Sequence, residues 1–163
     1  MTSIKGIIGL LKKGDPEKLK EALEKSDDVE DKTSMAQALT DFASDLAYLK
    51  GHPHLAIAIL LKSLKLNPES SETLYELGNA YSMTEMLEEN PKNLDKALWC
   101  YDRAIGLNDR NLEARYNKAL LLLLTGRKEE ARKEYGKLLE YNPDHFKFAE
   151  LETLLDGREV ISV

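Results

Sequence analysis

Leu74-Tyr75-Glu76-Leu77-Gly78-Asn79-Ala80-Tyr81 decides how the rest of the chain is read. Leu74, Leu77 and Tyr81 recur at the spacing of one helix face. Gly78 lies inside that helix, where glycine costs roughly 1 kcal/mol relative to alanine. Its missing side chain therefore points to close approach by a neighbouring helix. The phrase returns in weaker form upstream and downstream, so it is one unit of an array.

From Gln37 onward the chain repeats itself at about 34 residues, the signature of a repeat architecture. Three units align, 37–70, 71–111 and 112–145, and the second carries seven extra residues between Tyr81 and Ala97. Each unit reads as helix, turn, helix. The second helix has an early small residue (Ala56, Ala97, Ala131) and a large one four places later (Leu60, Tyr101, Tyr135). Ser63, Ala104 and Leu138 come next on the same face, followed directly by Leu64, Ile105 and Leu139. The units close on Asn67-Pro68, Asn108-Asp109 and Asn142-Pro143. Proline stops a helix because its ring clashes and it has no N–H to donate.

Residues 1–36 read as two short helices. The first, about Ser3 to Lys13, puts Ile4, Ile7, Ile8 and Leu11 on one face. Gly14-Asp15-Pro16 separates it from the second, Glu17 to Ser26, which carries Leu19 and Leu23. Asp27 to Asp31 reads as a solvated acidic loop, too polar to pack. A last helix, about Asp144 to Leu155, aligns Phe148, Leu151 and Leu155 as a cap for the open end of the array. The apolar tail Val160–Val163 follows it.

Composition narrows the class of function. Apolar residues make up 42% and charged residues 32% of the 163, which fits one soluble domain with a charge-rich surface. A net charge of −6 argues against a nucleic-acid binder, which needs Lys and Arg to neutralise phosphates. Cys100 is the only cysteine, so no intrachain disulfide can form and a cytoplasmic location is expected. No apolar run approaches the ~20 residues of a membrane span. The Ile4 to Leu11 patch is broken by Lys5 and lacks a cleavage site, so it does not read as a signal peptide; its Ile face, flanked by Lys5, Lys12 and Lys13, reads as the N-terminal cap of the stack rather than as a membrane contact. Phosphate loops, nucleophile motifs and paired catalytic carboxylates are missing from the sequence, so neither enzyme, cofactor nor metal is expected. His52-Pro53-His54 reads as a turn into a helix, and Cys100 as a structural thiol.

The three units resemble the tetratricopeptide repeat family, whose pattern is aromatic-x2-Leu-Gly-x2-Tyr, then Ala-x3-Phe, then Pro. The second unit matches through Leu77-Gly78, Tyr81, Ala97, Tyr101 and Ala104, with Leu74 in place of the aromatic and Asp109 in place of the proline. The third substitutes Ala119 for glycine and Leu122 for tyrosine but keeps the turn Thr125-Gly126-Arg127 to Ala131. The first has Ser44 and Ala47 in those places. The resemblance covers about two-thirds of the chain. It implies an all-α, right-handed solenoid of helical hairpins. The N-terminal helical hairpin would be 1–36, a degenerate repeat or a cap, and the capping helix and tail 146–163, the whole being one domain over 1–163.

The resemblance also implies where a partner sits. In the family the concave face is lined by the second, fifth, ninth and twelfth residues of each unit's first helix. In the first unit these include Asp41, Asp45 and Tyr48; in the second Glu72, Tyr75 and Asn79; in the third Glu113, Tyr116, Leu120 and Leu123. The expected groove is acidic at one end and apolar at the other. Family members that grip the acidic tails of heat-shock chaperones do so with a Lys/Arg/Asn clamp. Asp41, Asp45, Glu76 and Glu113 occupy the corresponding places here, and only Asn117 could donate. An acidic chaperone tail is therefore not the expected partner. The expectation is a non-catalytic interaction module or scaffold for a protein or peptide carrying Lys or Arg, with no nucleic-acid or membrane partner. The alternative is a structural protein that forms homo-oligomers through its Ile4 face or its tail. The insertion, 82–96, is expected to lengthen the second unit's first helix by about two turns and to project Met83, Met86 and Leu87 as a secondary edge.

Overall fold

Short polar side chains start the helices. Ser3 accepts from the Gly6 N–H at 3.1 Å, Asp31 from Ser34 at 2.9 Å and Asn111 from Ala114 at 3.0 Å. Each satisfies one of the donors that a helix start leaves without a partner. Gly126, at φ 79°, ends one helix in a conformation open to glycine, and the Arg127 N–H reaches back to the Leu122 carbonyl at 2.8 Å. The resulting elements, in a computed structural model that describes residues 3–13, 16–88, 91–142 and 146–157, are all helical. They are α1 (Ile4–Leu11), α2 (Pro16–Lys25), α3 (Lys32–Tyr48), α4 (Pro53–Leu66), α5 (Ser71–Glu88), α6 (Pro91–Leu107), α7 (Leu112–Leu124), α8 (Lys128–Tyr141) and α9 (Phe146–Leu155). None is long and apolar enough to cross a membrane.

The helices form two layers. α1, α3, α5, α7 and α9 each touch the next in that series, while the even-numbered helices pack behind them as hairpin partners. The small residues that mark the second helix of each unit, Ala56, Ala97 and Ala131, are all fully buried at the hairpin crossings. Two apolar cores result. One is built around Ile7, Met35, Leu39, Ile59 and Leu60, the other around Leu74, Tyr101, Leu122, Leu138 and Leu151. Leu64 and Tyr81 pack against both and form the seam.

Gly78 faces the ring of Tyr101 on α6. A Cβ built there would lie 2.6 Å from Tyr101 Cε1 and 2.8 Å from Cδ1. The close approach expected from the sequence is thus made by the large residue of the same unit's second helix. Hydroxyls join the first hairpin to the next: Thr40 meets Ser63 at 2.9 Å and Thr73 at 2.8 Å, all three buried. Ion pairs tie the last hairpin together and join it to α6. Arg115 on α7 pairs with Glu134 on α8 at 2.7 Å, both buried, and Lys118 reaches Glu134 and Asp102 at 2.7 Å each.

Three expectations change. The acidic stretch after α2 is not merely solvated. Val29 is buried, Asp27 pairs with Lys62 of α4 at 2.5 Å, and Asp31 caps α3. The insertion does not simply lengthen one helix. It is divided between the end of α5, which runs to Glu88, and the start of α6, which begins at Pro91. α5 exceeds α7 by five residues but α3 by only one, because α3 begins at Lys32. Met83 does not project: it packs against the first core. The side chains of Met86 and Leu87 lie outside the described residues, as do those at 158–163. Finally, the Ile4 face is not exposed, since Ile4 and Ile8 are packed against the first core. The cap expected at the other end is present: Phe148, Leu151 and Leu155 of α9 are buried.

Gly78→Ala gains helix propensity but drives a methyl into an aromatic ring, and we expect a net loss of about 1–3 kcal/mol. Gly136, inside α8, has open space where its Cβ would go. Gly136→Ala is therefore expected to stabilise by roughly 0.5–1 kcal/mol. Urea denaturation of the two variants checks the pair of signs, and equal effects would contradict the assigned contact.

Candidate functional site

The ten residues expected in the groove lie on α3, α5 and α7, which stand side by side in one layer. Six of them, Asp41, Asp45, Tyr48, Glu72, Asn79 and Leu120, line two recesses that both border α5, whereas Tyr75, Glu113, Tyr116 and Leu123 line neither. The first, about 240 Å³, is lined by Thr40, Asp41, Ser44, Asp45, Glu72 and Glu76. Asp41, Asp45 and Glu72 are exposed there, and Gln37 donates to Asp41 at 3.0 Å. Glu76 is half-buried. Burial lifts its carboxyl above the usual range, hydrogen bonds from Asn79 and Ser44 oppose the rise, and the charge of Glu72 adds to it.

The second recess, about 260 Å³, is lined by Tyr48, Asn79, Ser82, Met83, Tyr101, Asn117, Leu120, Leu121 and Leu124. Tyr48 leaves 51% of its surface exposed, yet its hydroxyl end is turned toward Glu76 and Asn79. Burial raises that hydroxyl well above the ordinary tyrosine range, and the Glu76 charge raises it further. Leu124, at 66% exposed, stands beside Leu120 at the mouth. Such a mixture of aromatic and leucine surface beside a few polar atoms suits one apolar side chain of a partner.

Asn79 occupies the floor between the recesses and differs from its expected role. It is 5% exposed, and its side-chain oxygen accepts from the Tyr101 hydroxyl and from the Asn117 amide, each at 2.8 Å. Its amide reaches Glu76 at 3.4 Å. Asn79 is therefore a strut that holds Glu76 and Asn117 in place, with little surface for a partner. Tyr75 is half-buried, its ring centre 6.5 Å from that of Tyr101 and its hydroxyl 3.5 Å from the Asn117 amide. Glu113 is exposed. Tyr116 stacks on Phe148 of the capping helix at 6.4 Å, and Leu123 packs into the second core, so both serve the C-terminal end as much as the groove. Sequence reasoning missed Ser44, Met83 and Leu124 as lining residues. Leu124 had a signal, because it lies four residues after Leu120 on the same face. Cys100 is buried and its thiol is pushed up to about 12, so it is not a reactive thiol at neutral pH.

Stacked antiparallel hairpins with a continuous inner layer define a helical repeat solenoid. Residues 92–149 match the family model of the tetratricopeptide repeat. That match covers 58 of the 163 residues, and the stack as a whole has the fold of tetratricopeptide repeat domains. The UDP-N-acetylglucosamine–peptide N-acetylglucosaminyltransferase of Giardia intestinalis is 36% identical over 105 residues, 64% of this chain. Those residues span 7% of that protein's length. Among solved structures, the tetratricopeptide repeat domain of Arabidopsis OM64 superposes with a TM-score of 0.67 at 14% identity, covering 77% of this chain and 98% of that one. The first such domain of Spaghetti (RPAP3), bound to the HSP90 peptide SRMEEVD, gives 0.64 at 21% identity and covers 75% and 91%. At these identities the two structures establish the fold alone.

The raised pKa of Glu76 has a defined sign. Relative to the unfolded chain the folded state disfavours the carboxylate, so stability is fullest below the unfolded pKa and falls as pH rises through the folded one. Glu76→Gln keeps an acceptor without the charge. It is expected to raise the melting temperature at pH 7, with the difference closing near pH 4. A variant less stable than wild type at pH 7 would show that the carboxylate is favoured in place.

Proposed function

We propose that the chain is a non-catalytic interaction module that holds one segment of a partner protein across α5. A Lys or Arg of the partner lies over Asp41, Asp45, Glu72 and Glu76, and an apolar side chain enters the recess at Tyr48, Leu120 and Leu124. The observation that carries this reading is the gathering of four carboxylates from two helices into one recess, open to solvent and next to an apolar one. Complementary charge there would set specificity and association rate more than affinity. Burial in the second recess would supply most of the affinity. The peptide held by the RPAP3 domain is acidic, whereas carboxylates here would repel such a tail. The transferase activity of the Giardia relative is not carried over, because the matched stretch is a small part of that protein. A single buried thiol suits a cytoplasmic setting.

Fluorescence anisotropy with labelled peptides tests the reading. A peptide with one Lys or Arg three to five residues from a Leu or Phe should bind, and SRMEEVD should not. Raising the salt should weaken binding, because the exposed charges are screened beyond a Debye length of about 10 Å at 0.1 M. Asp45→Lys combined with Glu72→Lys should weaken it about tenfold or more. Leu120→Asp should do so without removing the salt dependence. Preference for the acidic peptide, or affinity indifferent to salt and to the charge reversals, would overturn it.

A further inference from the structure

The back of the stack carries a second recess that the groove does not use. It lies between α4 and α6, over α5, and has a volume of about 450 Å³. Leu61 and Leu64 of α4, Leu77 and Tyr81 of α5, and Trp99 and Cys100 of α6 form it. Trp99 stands on the rim with 58% of its surface exposed, and Leu61 is 43% exposed. Asp95 and Lys96, also exposed, complete the rim, and the Lys96 ammonium sits 5.1 Å from the centre of the Tyr81 ring.

The repeat supplies an internal control for this place. One unit later, Leu61 becomes Asp102, Leu77 becomes Lys118, Cys100 becomes Glu134 and Trp99 becomes Lys133. There the notch is spanned from within the chain, with Lys118 pairing to both Asp102 and Glu134 at 2.7 Å. The fold therefore does not require an apolar notch at this position. Between α4 and α6 the chain has put leucines and an indole there and left the notch open. An exposed tryptophan beside an apolar recess has the composition of an interface centre.

We propose that this face joins two copies of the chain about a two-fold axis, the Trp99 of each copy entering the recess of the other between Leu61, Leu64 and Tyr81. A two-fold interface uses one patch twice, so the patch must complement itself. This one does in both respects. It holds the knob, Trp99, and the hole beside it. Its rim carries one charge of each sign on adjacent residues, so Asp95 of one copy meets Lys96 of the other. The groove lies on the opposite layer and stays open in such a pair.

Trp99 is the chain's only tryptophan, so its emission reports on this face directly. Sedimentation and fluorescence over about 1–200 µM should show a dimer whose tryptophan emission moves to shorter wavelength and resists acrylamide quenching as it forms. Trp99→Ala and Leu61→Arg should each weaken dimerisation about tenfold or more, with unchanged circular dichroism. Asp95→Lys and Lys96→Asp should each weaken it, and the two together should restore it, because the swap leaves opposite charges facing across the axis. A monomer at every concentration with constant emission would overturn the proposal. So would a dimer that survives Trp99→Ala and Leu61→Arg, or one that is lost only when residues 158–163 are deleted.

Discussion

The contact between Gly78 and the Tyr101 ring ties the fold to the groove. Glycine at that place lets α6 press its tyrosine flat against α5, and the tyrosine is thereby carried through the helix layer. Its hydroxyl emerges on the far side and donates to Asn79. Asn79 in turn accepts from Asn117 and reaches Glu76. One missing methyl group thus sets where a carboxylate of the acidic recess and an amide of the apolar recess stand. Packing on the back of the stack and polarity on its front are one arrangement. A larger residue at 78 would disturb the groove floor without touching the groove.

What could be read from the chain followed from local rules. The helical spacing of Leu74, Leu77 and Tyr81, the small residues Ala56, Ala97 and Ala131, and the helix-starting Pro53 all act within a few residues of themselves. The helices fall where these signals place them. What could not be read depended on partners far along the chain. Asn79 looks like a groove residue by its position on α5. Whether its polar atoms are free depends on Tyr101, which sequence spacing alone does not place against it. Arg115 sits where the repeat pattern calls for an apolar side chain, and nothing local announces that Glu134 will neutralise it. Asp27 and Val29 looked too polar a neighbourhood to pack until Lys62 and the first core were placed beside them. The seven extra residues were legible as an insertion but not in their division between α5 and α6, because a helix end is decided by competing stops within two turns of each other.

The two joins between repeats show how the same geometry accepts different chemistry. Thr40, Ser63 and Thr73 satisfy one another in a cluster that needs no charge. Lys118 does the equivalent work between the last two hairpins through its ion pair with Asp102, and with Arg115 it also pairs to Glu134 inside the last hairpin. Buried ion pairs add little net stability over apolar packing, but losing one partner leaves a charge stranded. The buried Arg115–Glu134 pair is therefore the place with less tolerance for substitution, while the hydroxyl cluster can absorb changes at the scale of one hydrogen bond.

Among the described residues Leu64 and Tyr81 pack against both apolar cores, and α5 and α6 contribute buried side chains to each. A stack whose units touch mainly their neighbours behaves as a spring. α3 belongs to the first core and α7 to the second, and the two recesses of the groove both border α5 between them. A segment held in both recesses at once would act as a brace between α3 and α7. Its binding energy would appear partly as mechanical stiffness of the solenoid, and the pitch of the stack, rather than any moving loop, would be the coordinate along which the protein adjusts to what it holds.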